Sequence, residues 1–163
     1  MSVTATKPWR AVSVAALAAL GVAVLGGAMT QVGPWYHNLA KPAWTPPDVA
    51  FGVIWTVIFA FAAASGSLAW IQAKTVPARE TIVGLFAANG FFNVCWSLLF
   101  FTLHRPDWGL WESLALWLSV AALVVFLTRV SRLAGVLTVP YLVWVSVAVL
   151  LNYDVVRLNG RFG

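Results

Sequence analysis

The chain has 163 residues, of which 61% are hydrophobic and only 9% charged, with a mean hydropathy of +0.87. A soluble domain is about 45–50% apolar and about 25% charged, so these charges cannot cover a water-facing surface, and lipid is the solvent for most of the chain. The net charge of +5 sits on few residues at segment ends, which suits topology signals and anionic headgroups and argues against a nucleic-acid surface.

A membrane-spanning helix needs about 20 mostly apolar residues. Residues 11–29 meet this after a short basic N-terminus with Lys7 and Arg10. That layout also resembles a signal peptide, with GGA as a cleavage site. The apolar run is longer than a usual signal core, however, and Ala15, Ala19, Ala23 and Gly27 recur every fourth residue. Small residues at that spacing let helix backbones approach closely. A retained helix is the expectation, packed by this stripe within the bundle or against a second copy.

The connection over 30–48 is the only long one, and it holds WYHNLAKPAWTPP at 35–47. Pro42, Pro46 and Pro47 stiffen it and disfavour helix before them. Two readings stand. It caps the bundle as a lid, with Trp35, Tyr36 and Trp44 facing inward and His37 or Lys41 meeting an anionic group at the rim. Or its aromatics form an interfacial belt in the headgroups.

Four further spans follow at 49–71, 81–103, 108–128 and 133–153, the fourth span of the chain carrying Glu112 near its start. Their short polar gaps, QAKTVPARE, HRPD and RVSR, force antiparallel neighbours. The expected fold is therefore an all-α integral membrane protein: one domain over 1–163, a bundle of five transmembrane helices with a long structured loop between helices 1 and 2. Gly84 and Ala88 form a second small-residue stripe, and the two stripes together point to a homodimer. Lys7, Arg10, Lys74, Arg79, Arg129 and Arg132 fall on the N-terminal side, against Lys41, Arg105, Arg157 and Arg161 on the other. This excess favours an N-terminus in the cytoplasm.

The span centres carry no Asp, Glu, Lys, Arg or His, so a proton pump or ion channel lacks its usual parts. No metal-ligand spacing, nucleophile elbow or phosphate loop is present, and no metal site is expected. Cys95, the single cysteine, reads as a small apolar residue. Uncharged polar and aromatic residues do line up at helical spacing. Asn89, Asn93 and Ser97 share a face of the third span, with Trp96 beside them. Tyr141, Trp144, Ala148 and Asn152 share a face of the fifth, and Phe51, Trp55 and Phe59 a face of the second. These faces either glue helices together or converge on a cavity for a large, flat, mostly apolar ligand. Pro140 removes the helical bond to the Val136 carbonyl and is expected to kink the fifth span.

The pattern WY-x2-L-x-KP-x-W-x-PP, from Trp35 to Pro47, resembles the signature of the translocator protein family, also called the tryptophan-rich sensory protein or peripheral-type benzodiazepine receptor family. The likeness continues at Phe51, Trp55-Thr56, Asn93, Trp96-Ser97, Phe100-Phe101, Pro140-Tyr141, Trp144, Leu151-Asn152 and Leu158-Asn159. Two positions depart from it: Phe59 stands where the family usually has Tyr, and Asn89 where it often has Gln.

The resemblance implies a membrane receptor or carrier for porphyrins such as protoporphyrin IX and other tetrapyrroles, acting in tetrapyrrole metabolism or stress response. It implies no obligatory cofactor, with porphyrin as the ligand and sterols or synthetic isoquinoline carboxamides as further ligands. Carried over, the site comprises Trp35, Trp44, Phe51, Trp55, Phe59, Asn93, Trp96, Tyr141 and Trp144, with His37 and Lys41 toward the propionates. The sterol-recognition pattern of the family has a counterpart in Leu151, Tyr153 and Arg157. No conventional catalytic set is visible. A light-dependent, oxygen-dependent porphyrin degradation through Trp55 and Trp144 is one alternative, and a structural or regulatory membrane protein without a small ligand is another. The expected location is a bacterial cell membrane.

Overall fold

A computed structural model describes residues 7–160 and 162; Arg161, counted above among the cations, lies outside them. Helix α1 spans Pro8–Met29, α2 Pro34–Asn38, α3 Asp48–Gln72, α4 Val76–Ser97, α5 Pro106–Val130 and α6 Arg132–Asn159. A π-helical turn, Leu98–Thr102, extends α4. Five of these helices are long and apolar enough to cross a membrane, counting α4 with its π turn as one span of 27 residues. The protein is an all-helical integral membrane protein, as its composition requires.

Local chemistry sets the helix ends. Pro8, Pro34 and Pro106 each start a helix, where the missing N–H costs nothing. Thr75 and Ser131 accept from the backbone N–H groups of Ala78 and Ala134 and so cap α4 and α6. The third span thereby starts at Val76 rather than 81, because a capped, proline-primed turn outweighs Arg79 and Glu80. The fifth span runs on to Asn159, past Asp154 and Arg157, which pair at 3.1 Å near the helix end. It stops at Gly160, whose φ of +75° suits glycine. Helix α6 is continuous through Pro140. Within the long connection, Pro34 opens the short α2, a helix that the proline-rich sequence did not lead one to expect.

The five spanning helices form a closed ring in which α1 packs on α3, α3 on α6, α6 on α5, α5 on α4 and α4 on α1. Buried clusters lie at three levels. Ala69, Ile82, Leu123, Leu127 and Ala134 fill the end holding the N-terminus; Ile58, Leu116, Val120, Tyr141 and Val145 fill the middle; Tyr36, Phe100, Phe101 and Val155 fill the far end. Helix α1 is the loosest member, with only Ala11 and Gly26 buried. The tightest contact is the α5–α6 hairpin, where a Cβ on Gly135 would come within 1.9 Å of Thr128 Oγ1 and 2.8 Å of Thr128 Cα. The backbone of α5 blocks any side chain there.

Gly135→Ala should therefore overpack the hairpin, at a cost of about 1–3 kcal/mol. A thermal melt in detergent should show a lowered midpoint for Gly135→Ala and no change for Gly21→Ala, since nothing lies within 4 Å of the Gly21 Cβ position.

Candidate functional site

At the end of the ring covered by the 30–47 connection lies a cavity of about 630 Å³, within the size range of small-molecule sites. Helices α1, α3, α4 and α6 and the connection line it, and α5 does not. Its wall is aromatic. Phe51, Trp55 and Phe59 project from successive turns of α3, Trp96 and Phe100 from α4, and Trp144 from α6. Trp55 stacks on Phe59 at 5.5 Å and meets Tyr141 edge-on at 6.0 Å, and Phe51 meets Trp144 edge-on at 5.7 Å. The α1 side of the cavity is built from Ala16, Ala19, Ala23, Gly26 and Gly27, whose small size leaves the space open.

Polar groups behind this wall are spent on one another. Asn93 Nδ2 donates to Tyr141 Oη (3.1 Å), which donates to Asn89 Oδ1 (3.1 Å), while Asn89 Nδ2 donates to Ser119 Oγ (2.9 Å). This chain ties α4, α6 and α5. Trp96 Nε1 donates to Asn152 Oδ1 (3.0 Å), and Asn152 Nδ2 donates to the Pro106 carbonyl (2.8 Å). Gly109 makes room for that junction, since a Cβ there would sit 3.4 Å from Asn152 Oδ1. Two groups are exceptions: the Trp144 indole N–H and the Glu112 carboxylate of α5 are buried with no hydrogen-bond partner, although the Trp144 ring lines the cavity. A buried polar group left unpaired costs about 1–3 kcal/mol.

The connection is fastened over the cavity from α6. Asn159 Oδ1 accepts from Ala40 N (2.9 Å) and its Nδ2 donates to Ala40 O (2.8 Å), a two-way clamp that copies a backbone pair. Trp44 Nε1 donates to Asp154 Oδ2 at 3.2 Å. Inside, Tyr36 is buried with Lys41 Nζ 4.3 Å over its ring. Burial, then the neighbouring Asp48 carboxylate, pushes the Tyr36 phenol up to about 12, so it stays neutral at physiological pH. Lys41, Asp48 and Tyr36 all reach the cavity, giving its rim one cation, one anion and one neutral hydroxyl.

Seven sequence-predicted residues converge on this cavity: Lys41, Phe51, Trp55, Phe59, Asn93, Trp96 and Trp144. Four do not line it. Trp35 stacks on His104 at 4.2 Å, beyond the α4 end. His37 stands exposed, 3.9 Å from Asp48. Trp44 is 47% exposed and serves as a tie to α6 rather than facing inward. Tyr141 lies behind Trp55 in the hydrogen-bonded chain. Leu151 faces the cavity while Tyr153 is exposed, and Arg157 pairs with Asp154, so the sterol-pattern residues do not share one surface. Ala15, Ala19, Ala23 and Gly27 of α1 all line hollows of the bundle, whereas Gly84 and Ala88 are on the outside. Among the described residues no group of three or more His, Cys, Asp or Glu could hold a metal. Tyr36 lines the cavity, as the lid reading expects, whereas the sequence does not single out Asp48 as a lining residue or Asn159 as the clamp, although Leu158-Asn159 is part of the resemblance.

Residues 13–158 match the model of the TspO/MBR family. The chain is similar to Protein CrtK of Rhodobacter capsulatus, with 38% identity over 82% of this chain and 83% of that one. It is similar to the tryptophan-rich sensory protein of Cereibacter sphaeroides, with 35% identity over 88% of each. It is also similar to the human translocator protein, with 31% identity over 77% of this chain and 75% of that one.

The Asn159 clamp predicts a measurable loosening. Asn159→Ala removes both bonds to Ala40, about 1–2 kcal/mol in all, and amide exchange over 35–47 should quicken roughly 5–30-fold with the helices unchanged. Hydrogen–deuterium exchange read by mass spectrometry measures it, and unchanged protection would mean the loop holds itself.

Proposed function

The chain belongs to the TspO/MBR family, and from that premise we propose that it is a membrane receptor or carrier that binds porphyrins, protoporphyrin IX among them, in the aromatic cavity under the 30–47 lid. The observation that carries this reading is the hollow of about 630 Å³ with Phe51, Trp55, Phe59, Trp96 and Trp144 on its walls. A flat macrocycle offers its faces to indole and phenyl rings. Its propionates suit Lys41 at the rim, with the Asp48 carboxylate limiting how much negative charge the rim accepts.

The protein sits in a bacterial cell membrane with its N-terminus in the cytoplasm, and a second copy docks on the outward face at Gly84 and Ala88. Sterols and isoquinoline carboxamides share the ligand chemistry of the cavity. A second activity, light-driven degradation of bound porphyrin in oxygen, is favoured by Trp55 and Trp144 lining the same hollow. It would show as a defined product formed more slowly in Trp55→Phe. Breakdown no different from that of free porphyrin in detergent would exclude it.

Binding is tested by titrating purified protein with protoporphyrin IX in the dark and following the porphyrin absorbance band. Saturable binding is expected. Trp144→Phe, which replaces the indole on the cavity wall with a smaller ring, should weaken it about 3–10-fold, the worth of one aromatic stacking contact. Trp55→Ala should weaken it more, and Trp111→Phe, on the outer surface at 75% exposure, should not change it. Binding that never saturates would leave the cavity aromatics a packing role only.

A further inference from the structure

A second hollow, of about 650 Å³, lies between α1, α3 and α4 toward the end that holds the N-terminus. It opens sideways: its rim residues Val14, Leu25, Val83 and Phe91 are all exposed on the outer surface. Its inner walls are almost wholly apolar, with alanines such as Ala15, Ala18 and Ala62 leaving a trough. On α1 the lining runs from Arg10 to Leu25, about 22 Å at 1.5 Å per residue. That exceeds half of the ~30 Å hydrocarbon core, so the trough reaches from the headgroup level past the depth of one leaflet.

One end of the trough is cationic. Arg10 is part of the wall, and Lys7 lies one turn before it on the same helix side. Trp70 lines the trough with the Arg79 guanidinium 4.9 Å over its ring. Among the described residues this end of the bundle carries Lys7, Arg10, Lys74, Arg79, Arg129 and Arg132 against the single acid Glu80. The opposite end sets Lys41, Arg105 and Arg157 against Asp48, Asp107 and Asp154, with Glu112 in the second turn of α5 on the same side. The positive charge of the protein is therefore concentrated where the trough opens.

We propose that this groove is a binding site for an anionic phospholipid, its phosphate held by Lys7 and Arg10 and one acyl chain lying in the trough along α1. The layout matches one lipid molecule in a leaflet: cations and an interfacial tryptophan at headgroup level, then an apolar channel parallel to the bundle axis. A free anion would make no use of the trough, and an uncharged lipid would make none of the cations. The site also adjoins the porphyrin cavity. Ala19, Val22, Phe59 and Ala63 line both hollows, so the partition is one side chain thick and a chain in the groove fixes how Phe59 packs. Helix α1 is pinned beside it at one close point, where a Cβ on Gly90 would come 2.9 Å from Val22 Cγ2.

The test is native mass spectrometry of delipidated full-length protein, titrated with phosphatidylglycerol and phosphatidylcholine of identical chains. One phosphatidylglycerol per chain should be retained in preference to phosphatidylcholine. Arg10→Gln should cut that preference about 5-fold and Lys7→Gln with Arg10→Gln should abolish it, as expected for cations near anionic headgroups. Ala62→Phe should reduce retention of both lipids by filling the trough. Ala18→Phe, on the exposed side of α1, should do the same and serves if Ala62→Phe melts early. Equal retention of the two lipids by the unaltered protein, or retention untouched by either phenylalanine, would overturn the proposal. So would a lipid count that holds while these variants shift the monomer–dimer ratio, because the groove would then seat a second copy. None of these readouts involves porphyrin.

Discussion

Inside the hydrocarbon core no water is present to satisfy a donor or acceptor, so most buried polar groups here are paired within the protein, on their own helix or across to a neighbouring one. The rest of this structure depends on that constraint. Asn89, Asn93 and Tyr141 join α4 to α6 and, through Ser119, to α5. Asn152 joins α6 to Trp96 and to the first turn of α5. Ser65, buried on α3, bonds the Ala134 carbonyl of α6 at 2.7 Å. These links hold α3, α4, α5 and α6 in fixed register. Helix α1 has few such ties, among them the Thr102 hydroxyl donating to the Met29 carbonyl at 2.9 Å, and both hollows lie against it. A ring cross-linked on four sides and loosely closed by a fifth helix of small residues has room where α1 stands off.

The same constraint sets the character of the cavity wall. With nearly all wall polar groups already paired, the wall presents aromatic faces and few polar atoms, Lys41 and Asp48 at the rim among them. The cover is held separately, from outside the core, by Asn159 and Asp154 on the end of α6. The cavity wall and its cover thus rest on different residues.

Much of this was legible in the sequence. The five spans stand out because long apolar runs separated by short charged gaps have one solution in a bilayer. The faces carrying Asn93 and Trp96, Phe51 with Trp55 and Phe59, and Trp144 with Asn152 followed from the helical period, and they do surround one hollow. Asn89 is glue between helices, and Asn93 is glue that also lines the cavity. Less could be read from the loop. Whether Trp44 points in or out depends on a partner 110 residues away, Asp154, and no local pattern encodes that. The short α2 and the π turn at Leu98–Thr102 depend on how the chain turns at each bundle end. That Trp96 is bonded and Trp144 is not could be known only from which neighbour each indole meets. The second hollow left its trace in the alanine stripe of α1, which sequence spacing alone reads equally as a helix–helix contact.

The most direct test of the central claim, that this family member takes a flat tetrapyrrole beneath its lid, is a crystal structure of the protein with protoporphyrin IX bound. Binding beneath the lid places the macrocycle between Trp55 and Trp144, with a propionate near Lys41. A macrocycle lodged on the outer surface, with the cavity empty and its aromatics unmoved, would contradict it.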